Sequence, residues 1–554
     1  MPVVSDYTPV RERNLPETVR RFEGIVLFDF GTDMFGQLEF RCSAETETEI
    51  ECAIGEVLAP GGRLNRAPGG SRVVFTAAIR IVPGKTVYRF PLPHHPDVQP
   101  GSVSLTEEVA PFRYAEFRAP FPVEAVRIAF HAPFNDSASA FHSSDENLNR
   151  VHELCRHTIR ATTVFGVYID GNRERLPYEG DAYINQLGHF ALDADYALAR
   201  RTIDHLFKFP TWPTEWLLAM PLIARDYWLH SADFASVRRW YAGLNSKLLL
   251  NFTRADGLLS TEGNRNPRDI VDWPMAERDG YEFGEINLVP NCWLYRSLLV
   301  MAELADAIEL SSEAEYFRSR AALLRASIRR TMLKSGRFVD NPESDHMSLH
   351  GAVFAVLFDV ADPEEVPALA SFIRSRGMAC SVFVAQFLLE ACFRCGLADY
   401  ALELMTSDSL RSWMNMIRKG ATMAMEAWDD TFKPNQDWNH PWGAAPANMI
   451  PRGLFGIRPL KPGFAEFEFA PQPGGLISAS YVYPTLRGAI HAEIRRDVFS
   501  VTVPPGTLCR FRGTVYIPAH TNSRAENFSG NKKAGNRIPE LIRSPARRNL
   551  VHAK

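Results

Sequence analysis

Residues 170–181 read Asp-Gly-Asn-Arg-Glu-Arg-Leu-Pro-Tyr-Glu-Gly-Asp and gather four carboxylates (Asp170, Glu174, Glu179, Asp181) with two arginines (Arg173, Arg175). Gly171, Pro177 and Gly180 interrupt any helical pattern, so the stretch is a loop. Taken alone, a loop of this composition is more often a solvated turn than a site. Two further stretches alter that balance. Residues 420–431 hold Glu426 among Met423, Met425 and Trp428, and residues 437–442 follow with His440 between two tryptophans. A carboxylate in apolar company has its ionised form disfavoured, which is useful for proton transfer. The alternative, that Glu426 faces solvent on a turn, is equally weighted at this point. The third stretch, residues 266–281, carries Asp269, Asp272, Glu277 and Asp279 beside Trp273. Acids interleaved with Trp and Tyr suit cleavage of a glycosidic bond. That reaction needs one protonated carboxyl for the leaving oxygen and one ionised partner. Aromatic rings stack on the apolar faces of a sugar, and Asp and Arg clamp its hydroxyls.

The elements that must position these loops follow from periodicity. Residues from about 20 to 140 give short alternating segments separated by glycines and charges, which predicts an N-terminal β-sandwich. At Ser143 the period changes. Leu148, Val151, Leu154, Cys155 and Ile159 follow helical spacing behind a cap at Ser144 or Asp145. Helical segments then dominate to Gly456, including 182–206, 214–230, 236–250, 288–309, 313–333, 382–395 and 398–406. That much helix exceeds a four-helix bundle and predicts an (α/α) toroid of helical hairpins. Alternation returns at 464–469, 488–495 and 499–503, predicting a smaller C-terminal β-sandwich. The expected organisation is therefore multidomain: 1–142, 143–456 and 457–520, with a basic disordered tail over 521–554.

Composition removes other classes. The 554 residues are 46% hydrophobic and 23% charged, with a net charge of −4. This balance offers no footprint for nucleic acid or an anionic membrane surface. No apolar run approaches the length of a membrane span. The eight cysteines form no disulfide framework, and Cys392 and Cys395 sit in an apolar helical run without a second pair, so no metal site is expected. The N-terminus shows no basic region followed by an apolar core, so a cytoplasmic location is expected, or a periplasmic one if an export segment precedes it. The assembly is left open between monomer and homodimer.

The order of several motifs resembles the α-L-rhamnosidases of glycoside hydrolase family 78. They are Phe28-Asp-Phe-Gly, Gly55-Glu56, Ser144-Asp-Glu-Asn-Leu-Asn-Arg-Val, Tyr168-Ile-Asp, Arg173-Glu-Arg-Leu, Gly180-Asp181, Gly420-Ala-Thr, Glu426-Ala-Trp-Asp and Asn439-His440. The resemblance runs from about residue 24 to 518. It implies an (α/α)6 barrel with flanking β-sandwiches and hydrolysis with inversion and no cofactor. It also implies Glu174 as general acid, Glu426 as general base, Asp170 and Asp181 as rhamnose ligands, His440 as a pocket histidine and Trp273 as an aromatic lining the sugar. Arg173, Asp272, Glu277, Asp279 and Trp428 complete the expected substrate-binding set. Pro177-Tyr178 stands where Gly-Trp is usual in that family. Two other classes stay open: a non-catalytic sugar-binding protein, and a polysaccharide lyase using Tyr178 or His440. The expected partner is a rhamnose-containing glycoside, oligosaccharide or polysaccharide.

Overall fold

The computed structural model describes residues 7–96, 98–261, 266–496, 498–512, 514–516 and 527–529. The first region is a sheet built around one long strand, Ile25–Arg41. The hydrogen-bonded order is Val10–Asn14, Glu124–His131, Ile25–Arg41, Ala110–Arg118, Thr48–Gly55 and Val74–Ile81, with Thr18–Phe22 and Val87–Arg89 also paired to the long strand. The sequence splits Ile25–Arg41 into two strands at Gly31 and Gly36 and implies two separate sheets. The described strands instead join in one network. The long strand shifts register between Asp29 and Met34, so it pairs with Thr18–Phe22 at one end and Glu124–His131 at the other. Gly31 permits the turn, with φ +79°. One face of the sheet buries Phe28, Phe40, Ile50, Cys52 and Phe117.

The helical region begins with α1 (Glu146–Ala161), capped by Asp145, whose carboxylate accepts from the Leu148 amide at 3.0 Å. It continues through α2 (Glu179–Leu192), α3 (Ala197–Lys208), α4 (Thr214–Ser231), α5 (Phe234–Ser246), α6 (Leu288–Ala307) and α7 (Ser311–Met332). Then follow α8 (Leu349–Leu357), α9 (Val366–Arg376), α10 (Val382–Arg394), α11 (Ala398–Thr406), α12 (Trp413–Arg418) and α13 (Pro446–Met449). Two kinds of helix alternate. α2 and α8 are buried at every residue, and α4, α6 and α10 nearly so. In α3, α5, α7 and α9 only one stripe is buried. A helix apolar all round must be surrounded by protein, whereas an amphipathic one lies on the surface. Packing agrees: α2 touches α4, α4 touches α6, α6 touches α8, α8 touches α10, α10 touches α13, and α13 returns to α2.

The residues read as a single helix over 182–206 are two, since the chain leaves helical geometry at Asp193 and restarts at Ala197. α8 and α9 were not singled out by periodicity. Apart from His350, α8 is apolar or small and it is buried on every side, so it carries no amphipathic signal.

Beyond the helices lie a four-stranded sheet (Ile457–Pro459, Glu466–Phe469, Leu508–Phe511, Thr514–Tyr516) and a five-stranded sheet. The latter orders Asn527–Ser529, Val498–Thr502, Ile490–Arg495, Ser478–Tyr483 and Ala140–Ser143. Its last strand therefore comes from just before α1. The disordered tail expected from 521 is corrected at one place, where Asn527–Ser529 pairs with Val498–Ser500. The rest of that tail lies outside the described residues. Among the described residues no helix is long and apolar enough to cross a membrane.

Candidate active site

The loop between α1 and α2 is shaped by its own polar groups. The Asp170 carboxylate accepts from the Leu176 amide at 2.8 Å, and the Arg175 amide donates to the Gly171 carbonyl at 3.0 Å. Gly171 is required by its neighbour: a Cβ there would stand 2.6 Å from the Asp437 carboxylate. The loop interlocks with the segment ahead of α13. The Asn172 amide donates to Asn439 Oδ1 at 2.8 Å, and the Arg173 amide donates to Asp437 Oδ2 at 3.1 Å.

This interlock brings Glu174 and Glu426, 252 positions apart by their numbers, to one guanidinium. Arg173 Nη2 donates to Glu426 Oε1 at 3.0 Å and to Glu174 Oε1 at 3.4 Å. Those two carboxylate oxygens are therefore separated by no more than the sum of the two contacts. Their surroundings differ. Glu426 is buried, with Arg173 bidentate upon it, Lys433 Nζ at 3.2 Å and the Asp437 amide donating at 3.0 Å. Burial pushes the Glu426 carboxyl up, but His440, Arg173 and Lys433 more than reverse this and hold it below the ordinary carboxylate range. His440 is itself kept neutral by burial, pushed down to about 3, so the two full cations carry the effect. Glu174 is half-buried and receives hydrogen bonds from Tyr178 (2.6 Å) and more distantly from Gln99 (3.4 Å).

Behind this pair lie carboxyls of the opposite character. Burial raises Asp170 and Asp181 well above the ordinary range, with neighbouring carboxylates adding to it. Neither Asp181 oxygen has a hydrogen-bond partner, and the His440 Nδ1 stands 3.5 Å away, also without a hydrogen bond. Buried polar atoms without partners are uncommon and mark a place for a ligand's hydroxyls. The His440 ring lies tilted against Trp442 with centroids 4.6 Å apart. Glu174, Glu426, Arg173, Asp170, Asp181 and His440 thus converge.

The other expected residues do not join them. Asp272 is buried and fully occupied: it accepts from His350 Nε2 at 2.8 Å, from the Ser381 amide at 2.9 Å and from the Ser381 hydroxyl. Glu277 is buried in an ion pair with Arg411 Nε at 2.9 Å. Asp279 accepts from the Leu349 amide at 2.7 Å and pairs with Arg376. These three acids are corrected from sugar ligands to struts of the helical region. Trp428 is corrected likewise. It is fully buried, its indole N–H donates to the Cys380 carbonyl at 2.7 Å, and its ring meets Trp413 edge-on. Trp273 is half-buried and packs against the helical core. Arg173, expected on a sugar hydroxyl, is spent on Glu426.

Sequence reasoning missed Asp437, Lys433 and Gln99, and read Tyr178 only as a departure from the family pattern and a candidate lyase base. Asp437, whose Oδ1 has no partner, is pushed up to about 7 by burial and then by the Glu426 charge. Lys433 supplies the second cation on Glu426. Tyr178 and Gln99 bond to Glu174. For Asp437 and Lys433 the signal was proximity to the Glu426 motif. For Gln99, in the sheet region, the sequence held no signal. Among the described residues no group of three or more His, Cys, Asp or Glu is arranged to hold a metal ion.

Comparison with known proteins follows the same division. Residues 136–454 match the bacterial alpha-L-rhamnosidase 6 hairpin glycosidase domain, and residues 456–532 match the bacterial alpha-L-rhamnosidase C-terminal domain. An alpha-L-rhamnosidase of Alteromonas sp. (strain LOR) is 24% identical over 301 residues, covering 49% of this chain and 32% of that protein. The structure of the GH78 family rhamnosidase of Bacillus sp. GL1 superposes with a TM-score of 0.70 at 22% identity, covering 88% of this chain and 52% of the other. That of a Streptomyces avermitilis alpha-L-rhamnosidase, complexed with L-rhamnose, gives 0.72 at 17% identity, covering 90% and 50%. These structural likenesses are of fold, and the chain spans about a third of the curated relative's length.

Proposed function

The chain belongs to the bacterial alpha-L-rhamnosidase six-hairpin glycosidases, and from that premise we propose that it hydrolyses terminal α-L-rhamnosides with inversion at the anomeric carbon. The closed succession α2, α4, α6, α8, α10, α13 with surface helices between supports an (α/α)6 toroid, and the two C-terminal sheets support a sandwich beside it. The N-terminal flank is the single eight-stranded sheet.

The observation that carries the reading is the contrast between two carboxyls touching one Arg173 nitrogen. Glu426, ionised by Arg173 and Lys433, is the general base that takes a proton from water. Glu174, reached by only one weak arginine contact and open to solvent on one side, protonates the glycosidic oxygen. The contrast in surroundings, cations around Glu426 and a phenol and solvent beside Glu174, supports this division of the acid and base roles. Asp181, with both oxygens unpartnered, and Asp170 accept from the sugar hydroxyls, with His440 beside them. For inversion, water must fit between Glu426 and the sugar, so the long Arg173 contact to Glu174 has to yield as substrate enters while the paired contacts to Glu426 hold. The rhamnose-bound relative supports the choice of sugar.

The lyase alternative is disfavoured by Tyr178. Burial and the adjacent carboxylates push its phenol far up, and its proton is already donated to Glu174, so it is a poor base.

Turnover of aryl α-L-rhamnosides, with the product anomer followed by NMR, tests the proposal. Release of β-L-rhamnose first is expected. Release of the α-anomer, or no turnover of any aryl α-L-rhamnoside by the folded protein, overturns it.

A further inference from the structure

We propose that Tyr178 and Gln99 form a positioning relay that decides which oxygen of Glu174 carries the transferable proton, so that the N-terminal sheet region completes the acid side of the site. The inference rests on the reading of Glu174 as the acid.

The relay is directional. Gln99 Nε2 donates to the Tyr178 phenol oxygen at 2.7 Å, and the phenol donates to Glu174 Oε2 at 2.6 Å. A phenol has a single proton. With the amide donating to its oxygen, that proton is aimed at Glu174. Oε2 is thereby an acceptor, and Gln99 adds a longer contact of 3.4 Å to the same atom. Oε1 has only the 3.4 Å contact from Arg173, whose guanidinium is gripped by Glu426. The proton to be transferred therefore resides on Oε1.

Both members are held from outside the loop. The Tyr178 ring meets Trp216 edge-on at 5.3 Å, and Gly180 next to it leaves room for that indole: a Cβ there would sit 2.7 Å from the ring. Gln99 belongs to a segment of the sheet region that wraps the acid loop. His95 Nε2 bonds to the Asn172 carbonyl at 2.7 Å, the Val103 amide donates to the Arg175 carbonyl at 2.8 Å, and Arg175 Nη2 donates to the Val109 carbonyl at 2.7 Å. The acid delivers its proton to the departing oxygen, so this segment flanks the side from which the leaving group exits.

The test compares Tyr178→Phe, Gln99→Leu and Glu174→Gln on aryl α-L-rhamnosides of graded leaving-group ability. Removing one oriented hydrogen bond is expected to lower kcat about tenfold on a poor leaving group. KM should hold, and the deficit should shrink as the leaving group improves, because a good leaving group needs less protonation. The alkaline limb of the rate profile should move to higher pH, since the ionised carboxylate has lost a donor. Gln99→Leu, at an exposed position, should follow in the same direction with about a threefold effect. Wild-type kcat and profile in both variants, or a change confined to KM, with Glu174→Gln inactive on poor leaving groups, overturns the relay alone. Full activity of Glu174→Gln on poor leaving groups overturns the acid assignment instead.

Discussion

Arg173 grips Glu426 with both terminal nitrogens, Nη1 to Oε2 and Nη2 to Oε1, each at 3.0 Å. The two residues come from opposite ends of the helical region, one on the loop before α2 and the other ahead of α13. The paired, planar geometry is one that a guanidinium supplies and an ammonium does not. It fixes the carboxylate's plane and, with Lys433, keeps it ionised within a buried setting.

Arg173→Lys is therefore expected to be far from conservative. It keeps a charge but loses the fork, and kcat/KM should fall about 10–100-fold through misplacement of Glu426. Arg173→Met removes the charge as well. Glu426 is held below its ordinary range, and the proposed general base acts in its ionised form, so loss of the cation should move the acidic limb of the rate profile to higher pH. Steady-state rates from pH 4 to 8 read both effects; an unmoved limb in Arg173→Met defeats the argument.

Asp437 gives a second pH signature. Its carboxyl is pushed up to about 7, so below that pH it is neutral and close to an asparagine in shape and charge. Asp437→Asn should match wild-type rates at pH 6 and diverge above pH 7, where only the wild type gains a further anion beside Glu426. Asp437→Ala removes the acceptor for the Arg173 amide and should cost about 100-fold in kcat at either pH. Equal losses for Asn and Ala at pH 6 would contradict this.

The two stretches that hold Glu174 and Glu426 stand out in the sequence, one as a Gly- and Pro-broken charge cluster and the other as a carboxylate among Met and Trp, while the choice of Glu174 among four carboxylates rests on the family resemblance. Asp272, Glu277 and Asp279 stand in settings equally distinctive, and the inference failed there. What separates the two cases is distant in the chain: His350 is 78 positions from Asp272, Arg376 is 97 from Asp279, and Arg411 is 134 from Glu277. A local window cannot show that a carboxylate is already occupied. Gln99 was hidden for the same reason, since nothing near it announces that the sheet region closes over the acid loop. The helical architecture fared better. The amphipathic surface helices carry their own period, except the short α9, and the interior α8, buried on every side, does not.

Asp272 offers a direct check on that distinction. Oδ2 of Asp272 accepts from the Ser381 amide and from His350 Nε2, and Oδ1 accepts from the Trp273 amide, so either orientation of the Asp272→Asn side chain turns its NH2 toward a backbone N–H that now donates to the carboxylate. A donor facing a donor in a buried position costs about 1–3 kcal/mol. Thermal melts should show a clear drop in Tm, while KM on an aryl rhamnoside stays at the wild-type value. A raised KM with unchanged Tm would return Asp272 to the sugar site.

Glu215, in the first turn of α4, predicts a stability effect away from the chemistry. It is buried, accepting from the Ile270 amide at 3.2 Å and the Val271 amide at 2.8 Å. Burial, then the nearby Asp269, raises its carboxyl from 4.5 to about 8, against the pull of those amides. The folded protein therefore retains this proton up to about pH 8, whereas the unfolded chain releases it near 4.5. Between those values the folded state binds more protons, so its stability declines as pH rises through that window and is complete below it. Glu215→Gln keeps an oxygen acceptor for the two amides and removes the titration. Relative to wild type, the variant's Tm should climb steadily from pH 5 to pH 8, with the smallest difference at the acid end. Differential scanning calorimetry across that range reads the slope, and parallel curves for the two proteins would show that Glu215 is already ionised in the fold.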